Sequence, residues 1–155
     1  MWRTLRYFGV READLPDASQ EVFLVMHRRL PEFRGDAKLS TWVYGICCRV
    51  GMAFRRRARS NRQELVSEPP TEPVEARQHA DLEILETRSR LTRLLEELPE
   101  EQRAVFVLHE IEELAMHEVA TLVDCPLFTA YSRLRLAKKR LRDRLRAISE
   151  EEDER

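Results

Sequence analysis

Leu114–Leu145, LAMHEVATLVDCPLFTAYSRLRLAKKRLRDRL, decides how the chain reads. Met116–Val123 has the spacing of a short amphipathic helix. Asp124-Cys125-Pro126 breaks it, and a longer basic helix opens at Leu127. A short helix, a tight turn and a second helix make a helix-turn-helix. Ala120 is small where the two helices must cross. Four residues on, Asp124 takes the turn position that needs a left-handed backbone, where Gly is best and Asp is tolerated at some cost. Leu127, Ala130, Leu134, Ala137, Leu141, Leu145 and Ile148 recur every three or four residues and predict one buried stripe. Phe128, Thr129, Ser132, Arg133, Arg135, Lys138 and Lys139 are left for the outer faces. Between Leu127 and Arg146 stand eight Lys or Arg and one acid, Asp143. That balance suits a helix lying along phosphates.

The 155 residues are 43% apolar and 35% charged, enough for one ordinary domain or two very small ones. The net charge of −1 hides an uneven distribution. Residues 1–60 hold 12 basic and 6 acidic residues, residues 61–80 hold 2 and 4, and residues 81–155 hold 13 and 18. Two basic surfaces inside a near-neutral chain fit nucleic acid. Cys47, Cys48 and Cys125 form no disulfide framework and read as small side chains in a reducing compartment. His27, His79, His109 and His117 lie in no ligand spacing with them, so no metal is expected. No apolar run reaches the ~18 residues of a membrane span, and no signal peptide is visible. Neither a Gly-rich phosphate loop nor a nucleophile constellation appears, so the chain reads as a non-enzyme with no cofactor.

Upstream, Trp2–Phe8 reads as the last turns of a helix stopped by Gly9. Asp14–Leu30 is a second helix, with Pro16 in its first turn. Val22, Phe23, Met26 and Leu30 are expected inside, and Asp17, Gln20, Glu21 and Leu24 share an outer face. Pro31–Asp36 is a loop with Asp36 as the cap of a third helix, Lys38–Arg59. Leu39, Trp42, Val43, Ile46, Cys47, Val50 and Phe54 form its inner stripe. Lys38, Thr41, Tyr44, Cys48, Arg49 and Met52 are assigned outward, ahead of Arg55, Arg56, Arg57 and Arg59. Aromatics beside a basic cluster suit unpaired bases. Ser60–Ala80 is acidic, carries Pro69, Pro70 and Pro73, and reads as an extended linker. Asp81–Leu98 and a helix opened by Pro99 then lead into the helix-turn-helix. The expected organisation is all-α: a helical module over 1–60, a flexible linker over 61–80, a second module over 81–148, and a frayed acidic tail over 149–155.

In this order the parts resemble bacterial RNA polymerase sigma factors of the extracytoplasmic-function type, in the sigma-70 family. Asp14–Ile46, DLPDASQEVFLVMHRRLPEFRGDAKLSTWVYGI, is similar to their region two. Leu98–Leu141, LPEEQRAVFVLHEIEELAMHEVATLVDCPLFTAYSRLRLAKKRL, is similar to region four. The resemblance implies a bacterial cytoplasmic factor that binds core RNA polymerase and both double-stranded and melted promoter DNA. An anti-sigma factor is a further candidate partner. It implies that Asp17, Gln20, Glu21 and Leu24 dock on the polymerase. Lys38, Thr41, Trp42, Tyr44, Arg49, Arg55, Arg56 and Arg57 would meet the minus-ten element. Phe128, Thr129, Tyr131, Ser132, Arg133, Arg135 and Lys138 would meet the minus-thirty-five element. Three departures accompany it. The first helix of region two reads as truncated, Arg49 stands where many relatives carry Asn, and Phe128 where many carry Gly. The alternatives are a stand-alone helix-turn-helix regulator, which leaves Asp14–Arg59 unexplained, and a degenerate sigma-like adaptor, which the truncated helix favours.

Overall fold

The computed structural model describes residues 1–64 and 79–153, and every regular element among them is helical. The helices are α1 (Trp2–Tyr7), α2 (Leu15–Arg29), α3 (Leu39–Glu64), α4 (His79–Glu96), α5 (Glu100–Phe106), α6 (Met116–Leu122) and α7 (Leu127–Asp153). Short 3-10 turns precede and follow α2, and a π-helical turn over Val107–Ile111 continues α5. The middle of the expected linker lies outside the described residues, but its two ends do not. α3 runs on to Glu64, and α4 starts at His79. The expected acidic tail is likewise helical as far as Asp153.

In the first module, α1 and α2 both pack on α3. α1 ends where Gly9 takes a φ of 90° and its amide donates to the Arg6 carbonyl. A left-handed backbone favours Gly here, and a Cβ would collide with the Arg103 guanidinium and lie 3.1 Å from the Arg55 side chain. α2 buries Leu15, Ala18, Ser19 and Val22. The expected inward face is therefore corrected. Phe23 and Leu30 are more than half exposed, because the small Ala18 and Ser19 sit at the seam. Asp36 does not cap α3, which begins three residues later at Leu39.

Neighbours flank α3 on more than one side. Ile46, Cys47 and Val50 are buried as expected, but so are Thr41 and Cys48, which were assigned outward, while Leu39 is half exposed. Burial pushes the Cys47 thiol up to about 11 and the Cys48 thiol up to about 12.

In the second module, α7 packs on α5 and α6. Ala130, Leu134, Ala137 and Leu141 are buried, and Ile148 is partly so. Leu127 and Leu145, at the ends of the expected stripe, are corrected to half exposed, since no helix covers them fully. Each fully buried Leu contributes about 1.5–3 kcal/mol, so the middle of the stripe holds α7 in place. Pro99 proves to be the residue before α5 rather than its first. α6 starts with the Glu118 carboxylate accepting the Ala115 amide at 3.1 Å. This is half of a capping box, because Ala115 has no side-chain oxygen to return the bond. The turn forms as read. Asp124 has a φ of 50°, Cys125 N–H donates to the Ala120 carbonyl at 3.0 Å, and Ala120 is buried at the crossing.

Two outcomes are expected from this geometry. Asp124→Gly should raise the urea midpoint, because relief of a left-handed non-Gly residue, ~1 kcal/mol, outweighs the added freedom of the unfolded chain by a few tenths. Gly9→Ala, at the other left-handed site, should lower it by more than ~1 kcal/mol. Far-UV circular dichroism during urea unfolding measures both. At pH 8 the native protein should show one rapidly reacting thiol, Cys125, against three after denaturation, as counted with a chromogenic disulfide reagent.

Candidate nucleic-acid interface

The outer surface of α7 is built by the turn before it. Asp124 and Pro126 fix the angle at which α7 leaves α6, and the buried Ala130–Leu134–Ala137–Leu141 stripe fixes its rotation. Phe128, Tyr131, Ser132 and Arg135 consequently share one exposed face, with Thr129 and Arg133 half-buried along its edge. Phe128 is 88% exposed, more than any other large apolar side chain described. Lys138 lies further along, where its ammonium meets Glu110 at 2.8 Å. A rigid helix with aromatic, hydroxyl and guanidinium groups on one face has the shape and donors to read base edges in a major groove.

The face expected on α3 is more divided. Lys38, Arg49 and Arg57 are exposed, and the Arg57 guanidinium lies 5.5 Å over the Phe54 ring. Trp42 is partly buried with its ring tilted against Phe33, centroids 5.4 Å apart. Arg56 is exposed but pairs with Glu100 at 3.7 Å. Two of the group are corrected from surface to interior. Thr41 is 3% exposed and donates its hydroxyl to Glu118 on α6 at 3.3 Å. Arg55 is buried and donates to the Glu96 carbonyl at 3.0 Å. Burial, then the nearby Arg59, lowers the Arg55 guanidinium from its ordinary value. The physical reason in both cases is the second module, which covers this side of α3.

The module junction holds the residues that sequence reasoning missed. Glu112 follows the π-helical turn, whose widened path is closed by its own amide bonding to the Val107 carbonyl. Its side chain is only 2% exposed. It accepts the Thr4 hydroxyl at 2.7 Å and lies 3.6 Å from the Arg3 guanidinium. Hydrogen bonding to Glu112, then partial burial, raises the Tyr44 hydroxyl above its usual value. Arg103, 1% exposed, reaches the Phe8 carbonyl at 3.4 Å and the Leu98 carbonyl at 3.5 Å. Desolvation, then Arg55, pushes its guanidinium down to about 9. Glu112 sits in an acidic run and Arg103 in a polar one, and neither has a local signal of burial.

On α2, Asp17 and Gln20 are exposed, Leu24 is 43% exposed and Glu21 is half-buried. Gln20 and Leu24 line an open groove of 720 Å³ with Trp2, Pro16, Ser19, Phe23 and His27. The sequence reading placed Phe23 inside and so missed the most apolar part of this face. Among the described residues no group of His, Cys, Asp or Glu is arranged to hold a metal ion, and no helix is long and apolar enough to cross a membrane.

The family model "Sigma-70, region 4" matches residues 88–141, the segment from α4 through most of α7's buried stripe. The chain is similar to the ECF RNA polymerase sigma-E factor of Escherichia coli (strain K12), 29% identical over 148 residues, which cover 90% of this chain and 78% of that protein. The corresponding factor of Haemophilus influenzae is 25% identical with the same coverage. In fold it is similar to CnrH, solved with the cytosolic domain of CnrY, at a TM-score of 0.68 and 23% identity over 94% of this chain and 80% of the other. It is also similar to the sigma factor RpoE of Bartonella quintana, solved with the anti-sigma factor NepR, at a TM-score of 0.66 and 17% identity over 94% and 89%. Residues 88–141 thus match the sigma-70 region 4 model, and over most of its length the chain is similar to RNA polymerase sigma factors of the extracytoplasmic-function type.

Proposed function

We infer that this chain binds core RNA polymerase and directs promoter recognition and strand opening at transcription initiation. The observation that carries this reading is the helix-turn-helix whose second helix presents Phe128, Tyr131, Ser132 and Arg135 on one exposed face. The division of labour follows the expected modules. Residues 81–148 read the minus-thirty-five element through α7, with Phe128, Thr129, Tyr131, Ser132, Arg133 and Arg135 toward the groove and Lys138 toward phosphate. Residues 1–60 open the minus-ten element through Lys38, Trp42, Tyr44, Arg49 and Arg57, with Thr41 joining when α6 moves away. Arg55 holds the module junction instead of a phosphate. Asp17, Gln20, Glu21 and Leu24 dock on the polymerase, and Phe23 and Trp2 extend that face.

The polymerase supplies the chemistry; the chain supplies address and strand separation, in the bacterial cytoplasm. An anti-sigma protein is a second partner class, supported by the Bartonella quintana relative, which was solved with one. A stand-alone regulator would need only the second module and would leave the α2 groove and the aromatic face of α3 without use.

Size-exclusion chromatography with core RNA polymerase tests the docking. Wild type should co-elute, and the Gln20→Ala/Leu24→Ala double variant should not. A wild-type chain that binds DNA but never co-elutes would reject the reading. Arg133→Ala should lower promoter-specific initiation by the ~1–3 kcal/mol typical of a groove contact while polymerase binding stays near normal. Equal loss of both would instead mean an unfolded module. Duplex binding should weaken steeply with salt, as contacts to phosphate require.

A further inference from the structure

Phe128 is the second residue of α7, directly after the turn. It takes no part in the core, which holds α7 through Ala130, Leu134, Ala137 and Leu141. At 88% exposure its ring stands almost wholly in water, beside Leu127 at 44% and Tyr131 at 53%. On a helix of 3.6 residues per turn, Arg135 and Lys139 lie within about 20° of Phe128 around the axis, and Ser132 and Arg142 within about 40°. All four are exposed. Phe128 is therefore the apolar centre of an otherwise polar and cationic face. An apolar patch meant for another protein is depleted of charge at its centre, and this one is ringed by it. Phe128 also stands at the N-terminal end of the helix, the end from which a reading helix reaches base edges.

The major groove offers such a ring little to bind. Its edges carry hydrogen-bond acceptors on guanine, adenine and thymine and amino donors on adenine and cytosine, and one apolar group, the C5-methyl of thymine. A benzyl side chain laid on a donor or acceptor strips its water and returns no hydrogen bond. Laid on the methyl, it buries carbon against carbon. We propose that Phe128 is a specificity-determining residue that reads one thymine of the minus-thirty-five element through its C5-methyl group. This rests on the assignment of α7 to that element, and it adds the base and the atoms that are read. Arg135 sits about 10 Å further along the helix axis, about three base steps, so the thymine is not the base that Arg135 reads. Phe128 and Arg135 thus divide the element between them, one end selected by an apolar contact and the other by a hydrogen-bonding side chain.

The test uses the full chain reconstituted with core RNA polymerase. Wild type, Phe128→Ala and Phe128→Leu each select from a duplex library randomised around the minus-thirty-five position. Far-UV circular dichroism confirms that the variants keep their helices. Wild type should fix a thymine at one position, and Phe128→Ala should lose preference there while the other selected positions stay. In the wild-type duplex that thymine is then replaced by deoxyuridine, which removes the methyl and leaves every hydrogen-bonding group in place. Competition binding should show wild type weakened about fourfold, the loss expected for one buried methyl. Phe128→Ala should bind the two duplexes equally, and Phe128→Leu, still apolar, should keep part of the preference. Wild type that binds both duplexes equally at every selected thymine would overturn the proposal. So would a Phe128→Ala variant with the wild-type ratio of thymine to deoxyuridine binding. A wild-type holoenzyme that selects no sequence in the randomised window would overturn the assignment of α7 itself, and the proposal with it.

Discussion

A buried carboxylate ties the two halves of this protein together. Glu112 is carried inward by the π-helical turn after α5, and a carboxylate so enclosed must be paired or it costs several kcal/mol. Its partners, Thr4 and Arg3, both come from the first module. Arg3 is largely exposed, and an ion pair with an exposed guanidinium is worth under ~1 kcal/mol. The Thr4 hydroxyl is buried, and a hydrogen bond from such a group to a charge is worth about 1.5–3 kcal/mol. Thr4, more than Arg3, therefore settles where α1 lies against the second module. The Thr41–Glu118 bond at 3.3 Å ties α3 to the same module.

The opposite side of the junction is satisfied less completely. Arg55 and Arg103 flank Gly9, burial and then Arg55 depress Arg103, and among the described residues the Arg55 Nη1 and Arg103 Nε atoms have no hydrogen-bond partner. Their firmest acceptors are backbone carbonyls, with Glu96 and Glu100 acting from nearby. Buried polar atoms left without partners cost about 1–3 kcal/mol each, which offsets part of what Glu112 contributes.

This division explains what the amino-acid sequence disclosed. The Ala130–Leu134–Ala137–Leu141 stripe, the left-handed Asp124 and the Gly9 stop are set by helix period and backbone sterics within a few residues, so they were legible. Thr41, Cys48 and Arg55 are buried by helices distant in the chain, and nothing in α3's own period distinguishes their face from an exposed one. Phe23 was misplaced for the opposite reason. Side-chain size pointed it inward, but helices approach most closely over small residues, and Ala18 and Ser19 take the seam. The α7 face and part of the α2 face could be read as candidate sites because exposure follows from local pattern. The α3 face could be read only in composition, since its accessibility is a property of the whole molecule.

The same contrast bears on the function proposed for the two helices that would face DNA. A protein with both DNA-reading surfaces permanently open would hold single strands wherever they arise, because stacking on aromatic groups and contact with phosphate depend little on sequence. In the proposed function, duplex reading through α7 would carry base-edge information, which suits its exposed face. Single-strand contact through α3 would carry less, and Thr41 of that face is bonded to Glu118 of α6. Phe23 and Leu24 lie open on α2 whatever covers α3.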